Sequence, residues 1–206
     1  MNHKGALKTG TIITLAILGV IVLVGMGTCS SIVGIYNSIQ TKSTQVDAAG
    51  SQIKVQLKRR LDLLPNLANI VQGYATHERG TFTEIAQARA RLGGVINVQG
   101  TTMQQLAEAN SSLSGTIGRL LMLSENYPEL KANENFKDLQ SQIEGTENRI
   151  SVARQDYNGE VQKFNAMIKV FPNSVVANFM GVTARQFFDI GDSTKVENPP
   201  VIQFPK

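Results

Sequence analysis

The chain is poor in the residues that most often carry chemistry. Its 206 residues include one cysteine and two histidines. A lone Cys29 forms neither an intrachain disulfide nor a cysteine metal cage. With only His3 and His77 available, a histidine-based metal or acid–base site is not expected. His77-Glu78 begins like a zinc-protease helix, but Thr81 stands where that motif needs its second histidine. There is no G-x-S-x-G elbow and no lysine after a phosphate loop, and Gly93-Gly94 lacks the flanking strand and spacing of a nucleotide loop. The expectation is a protein without catalytic residues, metal or cofactor.

Charge is scarce as well, and unevenly so. Asp, Glu, Lys and Arg make up 17% of the chain, against about 25% in an ordinary soluble domain. Thr9 to Thr41, the run between Lys8 and Lys42, carries none. Elsewhere the charges nearly balance, giving a net of +4 for the whole chain. No clustered Lys/Arg patch with interleaved aromatics occurs, which argues against a nucleic-acid partner.

The uncharged run is strongly aliphatic. Ile12 to Val24 is almost continuous Leu, Ile and Val, with Ile12, Leu15, Leu18 and Val22 among them. Extended to Val33 it reaches about 20 residues, the length a bilayer core requires. A helix also satisfies its own backbone in lipid. The expected organisation is a short tail at 1–10, a transmembrane anchor at 11–35, a helical domain at 36–190 and an extended tail at 191–206. The lipid bilayer is thus the first partner expected. Lys4, Lys8 and the terminal amine precede the span without an acid, whereas Lys42 is offset by Asp47 beyond it. The positive-inside rule then favours a cytoplasmic N-terminus and an exported domain. Two other readings stay open beside a retained anchor. One is signal cleavage after Gly27; the other is lipidation of Cys29, for which Thr28 is a poor preceding residue. Gly27 with Ser31, and Ser30 with Gly34, are small-residue pairs that permit close helix approach.

Beyond the span the apolar residues recur at helical spacing. Val46, Ala49, Ile53, Leu57, Leu61, Leu64, Leu67, Val71 and Tyr74 form one stripe. Few breakers separate it from the anchor, so the two read as one continuous helix. Pro65 leaves Leu61 without its helical hydrogen-bond donor and predicts a kink. Thr76 to Gly80 reads as a turn, with His77 near the helix ends. Thr81 and Glu84 then suggest a capping box. The stripe from Phe82 through Leu92, Met103 and Leu113 to Leu120 predicts one second helix, ended by Asn126-Tyr127-Pro128. A third stripe runs from Phe136 through Ile150 and Tyr157 to Phe171, and a short last helix follows from Asn173 or Ser174 to Phe188. The fold expected is all-α: one transmembrane helix, then an antiparallel bundle of three long helices with a short C-terminal one. At 1.5 Å per residue such helices are about 45 to 65 Å long.

Two clusters of charge need an assignment. Lys58-Arg59-Arg60-Leu61-Asp62 is either a partner- or phosphate-facing patch or a solvated helix face, and the solvated face, with an i,i+4 pair of Lys58 and Asp62, is the simpler reading. Arg154 falls between Ile150 and Tyr157 on the third stripe. Either Ala153 fills that core position and Arg154 snorkels, or Arg154 fills it and needs a buried partner such as Asp62 or Glu78.

These residues also carry a resemblance. Tyr36-Asn37, then Val55 through Arg59, Arg60, Asp62, Pro65 and Asn66 to Leu67, then Gly73-Tyr74-Ala75-Thr76-His77-Glu78, resemble the signature of the LemA family. So do Glu125-Asn126-Tyr127-Pro128 through Asn133, Arg149-Ile150 with Ala153-Arg154-Gln155-Asp156-Tyr157-Asn158, Phe171-Pro172, and Pro200 to Phe204. The similarity runs in consistent order from about Tyr36 to Phe204. It implies a bacterial envelope protein of the cytoplasmic membrane, with one membrane helix, a long helical bundle and no established activity. Some relatives are associated with internal membranes of magnetosome-forming bacteria, so membrane organisation is the role the resemblance implies. Phe164 departs from the family by standing where a Tyr-Asn pair is frequent. Cys29 lies farther before Tyr36 than in lipoprotein-like members.

The function expected is therefore a membrane-anchored helical scaffold that self-assembles. The alternative is an adaptor or regulator of another envelope protein, such as a membrane protease or sensor.

Overall fold

The computed structural model describes residues 9–189, with side chains from Ile13 onward apart from Thr28. Residues 1–8 of the expected N-terminal tail with His3, the whole expected tail at 191–206 and the side chain of Ile12 lie outside the described residues, while Thr9 and Gly10 already belong to the first helix. Every regular element among the described residues is helical. The first, α1 (Thr9–Tyr74), is a single helix of 66 residues that carries the aliphatic run and the first amphipathic stripe without a break. Val46, Ile53, Leu57, Leu61, Leu64, Leu67 and Val71 are buried as the spacing requires. Ala49 is half-buried, and Tyr74 is exposed while Ala75 takes the core position after Val71.

Pro65 stays inside α1. The Leu61 carbonyl that it leaves without a helical donor accepts a hydrogen bond from Arg89 Nε at 3.4 Å. A side chain from the next helix thus partly satisfies the carbonyl that the proline leaves open.

The second stripe folds differently from its sequence reading. Instead of one helix it forms α2 (Arg79–Asn97) and α3 (Met103–Met122), packed against each other as a hairpin. Its phase continues through the break, but the backbone cannot. Gly100 adopts φ +86°, a left-handed conformation that glycine enters without steric cost. Thr101 Oγ1 then donates to the carbonyls of Val95 and Val98 at 2.8 and 3.0 Å. Thr102 and Gln105 close a reciprocal capping box that starts α3. The cap expected at Thr81 is absent, because α2 already begins at Arg79, and Glu84 pairs with Arg119 across the hairpin at 2.6 Å.

A 3₁₀ turn at Leu123–Glu125 and the short α4 (Pro128–Ala132) lead to α5 (Glu134–Lys169). Pro128 sits in the first turn of α4, where its missing N–H costs nothing. The Asn133 side chain caps α5 through the Phe136 amide at 3.0 Å. α5 packs along α1 in antiparallel register. Asn133 donates to the Tyr74 hydroxyl at 3.0 Å, Arg149 to Gln56 at 3.3 Å, and Lys42 pairs with Glu160 at 3.7 Å. Gly50 makes the close approach in this register, since a Cβ there would lie 3.4 Å from the Tyr157 ring. The last helix, α6 (Asn173–Phe179), is shorter than the expected run to Phe188, and Gly181 at φ +67° follows it.

Candidate functional site

Two features stand out, a polar node inside the helical domain and the apolar surface of the N-terminal half of α1.

The node centres on Arg60, which is only 3% exposed. The simpler reading of Lys58 to Asp62 as a solvated face fails at this residue, although Lys58, Arg59 and Asp62 are indeed exposed. Ile53, Leu57, Arg60, Leu64, Leu67 and Val71 alternate steps of four and three, so Arg60 occupies a core position of the heptad. Its guanidinium donates to Asn110 Oδ1 at 3.1 Å and Ser114 Oγ at 2.9 Å, both on α3, and forms an ion pair with Glu147 on α5. Its Nε is buried without a partner among the described residues. Burial pulls the Arg60 pKa below its ordinary value, and Glu147 pulls it back up. A guanidinium starts so far above neutrality that it stays charged. The node thus ties α1, α3 and α5 together, and it borders a small cleft of about 170 Å³ that Ser151 and Arg154 also line.

Ala153 fills the core position on α5 and Arg154 is half-exposed beside it, so neither Asp62 nor Glu78 is its buried partner. Arg154→Met is accordingly expected to change stability by less than about 0.5 kcal/mol, read from urea midpoints.

Tyr157 and Asn158 hold the segment after α6. Tyr157 Oη donates to the Gln186 carbonyl at 2.8 Å. Asn158 accepts from the Phe188 amide at 2.9 Å and donates to the Phe188 carbonyl at 3.3 Å. Seven residues on, Asn165 makes the same two-bond grip on the backbone of Arg185, at 2.7 and 2.9 Å. Arg185 in turn reaches Ser43 and Asp47 of α1. The side chain of Phe188 is buried among the helices. Sequence reasoning missed Asn165, Asn110, Ser114, Glu147 and Phe188; the seven-residue spacing of Asn158 and Asn165 was the available signal for one of them.

Burial raises the Tyr157 pKa, Arg185 opposes this and Asp47 adds to it. Because the folded pKa is raised, the stability from this hydroxyl is complete below the unfolded tyrosine value of about 10 and is lost above it. Tyr157→Phe is expected to cost about 1 kcal/mol near neutrality. It should also flatten the fall in stability above about pH 10, while leaving the profile below that pH unchanged in shape, measured by urea unfolding.

The other motif residues are dispersed. Asn66 is exposed on α1, and Pro65 is half-buried. His77 is exposed in the turn before α2, with Glu78 at the start of that helix. Tyr127 and Pro128 open α4. No group of three or more His, Cys, Asp or Glu able to hold a metal occurs among the described residues.

The N-terminal half of α1 is long and apolar enough to cross a membrane, with mean hydropathy 2.3 in its most apolar window and none of that window buried. Leu15, Leu18, Val22 and Val33 are all exposed there, and so is Cys29.

Comparison with known proteins places these features in a family. The chain is 25% identical to magnetosome protein MamQ 2 of Paramagnetospirillum magneticum over 195 residues, covering 82% of this chain and 70% of that protein. It is 24% identical to magnetosome protein MamQ of Magnetospirillum gryphiswaldense over the same length. It is 26% identical to protein LemA of Metamycoplasma hominis, over 80% of this chain and 74% of that protein. The LemA family model matches residues 49–204, which include the buried node, the turn at His77 and the Tyr157-Asn158 grip. The chain belongs to the LemA family.

Proposed function

We propose that the chain is a single-pass membrane scaffold of the bacterial cytoplasmic membrane, with a cytoplasmic N-terminus and an exported helical bundle. Copies assemble through bundle faces and through the small-residue pairs of the span, and the assembly shapes or organises the membrane. One observation carries this reading: the 66 residues of α1 run without a break from the apolar span into the domain core. Such a helix transmits the orientation of the domain directly to the bilayer, as an organising element needs. The relatives named as magnetosome proteins support a role at membranes.

The test is the mass of the full chain extracted in mild detergent, by light scattering, with crosslinking in native membranes. Discrete or open assemblies are expected. A strict monomer that crosslinks to nothing overturns the scaffold. Arg59, Asp62 and Asn66 favour the adaptor reading instead, since they form an exposed polar stripe on α1 within the matched region. Arg59→Glu with Asp62→Lys separates the two: it releases a co-purified envelope protein if the chain is an adaptor and leaves self-assembly intact.

A further inference from the structure

A second uncharged run lies in the folded part of the chain. Residues 170–184, between Lys169 and Arg185, contain no Asp, Glu, Lys or Arg. Burial does not explain it, because this segment displays its large apolar side chains. Phe171 is 79% exposed and Phe179 93%, and Val170 and Val175 are exposed beside them. An exposed cluster of this kind marks a surface that meets something apolar.

Its place in the fold says what that is. The antiparallel register set by Lys42 and Glu160 carries the end of α5 down along α1 toward the span. α6 then packs on α1 itself. Between them lies a groove of about 470 Å³, lined by Val24, Ile32 and Ile35 of α1 and by Phe171, Val175 and Val176. Val24 and Ile32 belong to the stretch whose length and hydropathy suit a bilayer core, so the face of α6 is continuous with the lipid-facing surface. At 1.5 Å per residue, the α1 residues of the groove cover about 16 Å along its axis, roughly one leaflet's hydrocarbon depth. Ser31 also lines the groove, yet its hydroxyl donates to the Gly27 carbonyl at 2.9 Å and so does not require water. Lys169 closes α5 just before the run, and Tyr36 is exposed on α1 just beyond the groove, as residues at a membrane–water boundary are.

Resting on the membrane-anchor reading, we propose that residues 170–180 form a second membrane contact, in which Phe171, Val175 and Phe179 enter the bilayer and an acyl chain fills the groove between α1 and α6. The helical domain is then held by two points, a spanning helix and an interfacial wedge, which fixes its tilt on the membrane.

The sequence contains no tryptophan, so one introduced indole reports alone. Full-length Phe171→Trp, Phe179→Trp, Leu18→Trp and Met122→Trp proteins are reconstituted in phosphatidylcholine vesicles, with and without lipids brominated on the acyl chains. Leu18 reports the span, and exposed Met122 reports the far end of the domain. Phe171→Trp and Phe179→Trp are expected to lose emission about two-fold or more in brominated vesicles, as Leu18→Trp does, with Met122→Trp unchanged. Quenching of Leu18→Trp alone overturns the second contact and leaves the anchor standing. Blue-shifted but unquenched emission at Phe171 and Phe179, reversed by diluting the protein in excess lipid, assigns the face to a second copy and also overturns it. No quenching at Leu18→Trp overturns the anchor and the wedge together. Helicity by circular dichroism confirms that each variant is folded, and both phenylalanines are exposed enough for replacement without disturbing the core.

Discussion

Two lysines in the span, Leu18→Lys with Val22→Lys, are expected to move the chain from the membrane to the aqueous fraction. Ten of the thirteen residues from Ile12 to Val24 are Leu, Ile or Val, which together contribute on the order of −3 to −6 kcal/mol of insertion free energy. A lysine at the centre of a span costs about 2.5 to 3.5 kcal/mol and forfeits the aliphatic residue it replaces. The pair therefore costs about 6 to 8 kcal/mol, enough to cancel the whole drive. Both positions lie one turn apart on α1, far enough from either end of the span to limit snorkelling to the headgroups. Both are exposed, so the domain core loses nothing. Salt-washed membranes should release the double variant, with its helicity retained, and keep the single variant Val98→Lys. Retention of the double variant when Phe171→Ser and Phe179→Ser have also removed the apolar face after α5 contradicts a single span at residues 11–35.

The second large effect is at the buried node, where the two partners of one ion pair should respond unequally. Glu147→Ala leaves the Arg60 guanidinium buried with only the neutral Asn110 and Ser114 as acceptors. Removing one partner of a fully buried pair costs about 3 to 5 kcal/mol, but Glu147 is 51% exposed, so water can partly replace it and about 2 to 3 is expected. Arg60→Met removes the charge and keeps the long stem, which places an apolar side chain at a core position of the heptad. That exchange is expected to cost only about 1 kcal/mol, because the desolvation cost of Arg60 vanishes with its partner's attraction and the remaining loss is that of the buried Asn110 Oδ1 left without its donor. The double variant should recover most of the loss seen with Glu147→Ala. Urea unfolding of all three proteins at one pH reads the cycle. Equal losses for Arg60→Met and Glu147→Ala show that the node acts through its shape and hydrogen bonds, not through an unpaired charge.

Helical periodicity alone located most of the core. The stripes from Val46 to Val71 and from Phe136 to Ile168 are buried nearly as spaced, because a long helix packed along one neighbour repeats its contacts every seven residues. The continuity of span and domain was legible for the same reason, as Ser38 to Gln52 holds no proline and only one glycine, Gly50. The hairpin between α2 and α3 was not legible from periodicity, because the turn from Val98 to Thr102 preserves the phase of the stripe while reversing the chain. Its signal was local: Gly100 followed by Thr102 and Gln105, a left-handed residue and then a capping box. Arg60 was hidden by its neighbours. Leu61 offers the helix an equally good apolar residue one position on, so the charged residue at the true heptad position reads as surface until Asn110, Ser114 and Glu147 are seen to converge on it. The grip of Asn158 and Asn165 on the segment from Arg185 to Phe188 joins irregular backbone to a helix, and no periodic pattern encodes such a contact.

Rigid continuity of the span with the domain core is measured most directly by the distance between two spin labels on α1. Val20→Cys and Val55→Cys, with Cys29→Ser, place labels at exposed positions in the span and in the domain. Over 35 residues an unbroken helix spans about 52 Å. In lipid nanodiscs, a single narrow distribution near this distance is expected by pulsed electron spin resonance. A broad distribution centred well below it shows a hinge between span and domain, and contradicts a helix that carries the orientation of one into the other.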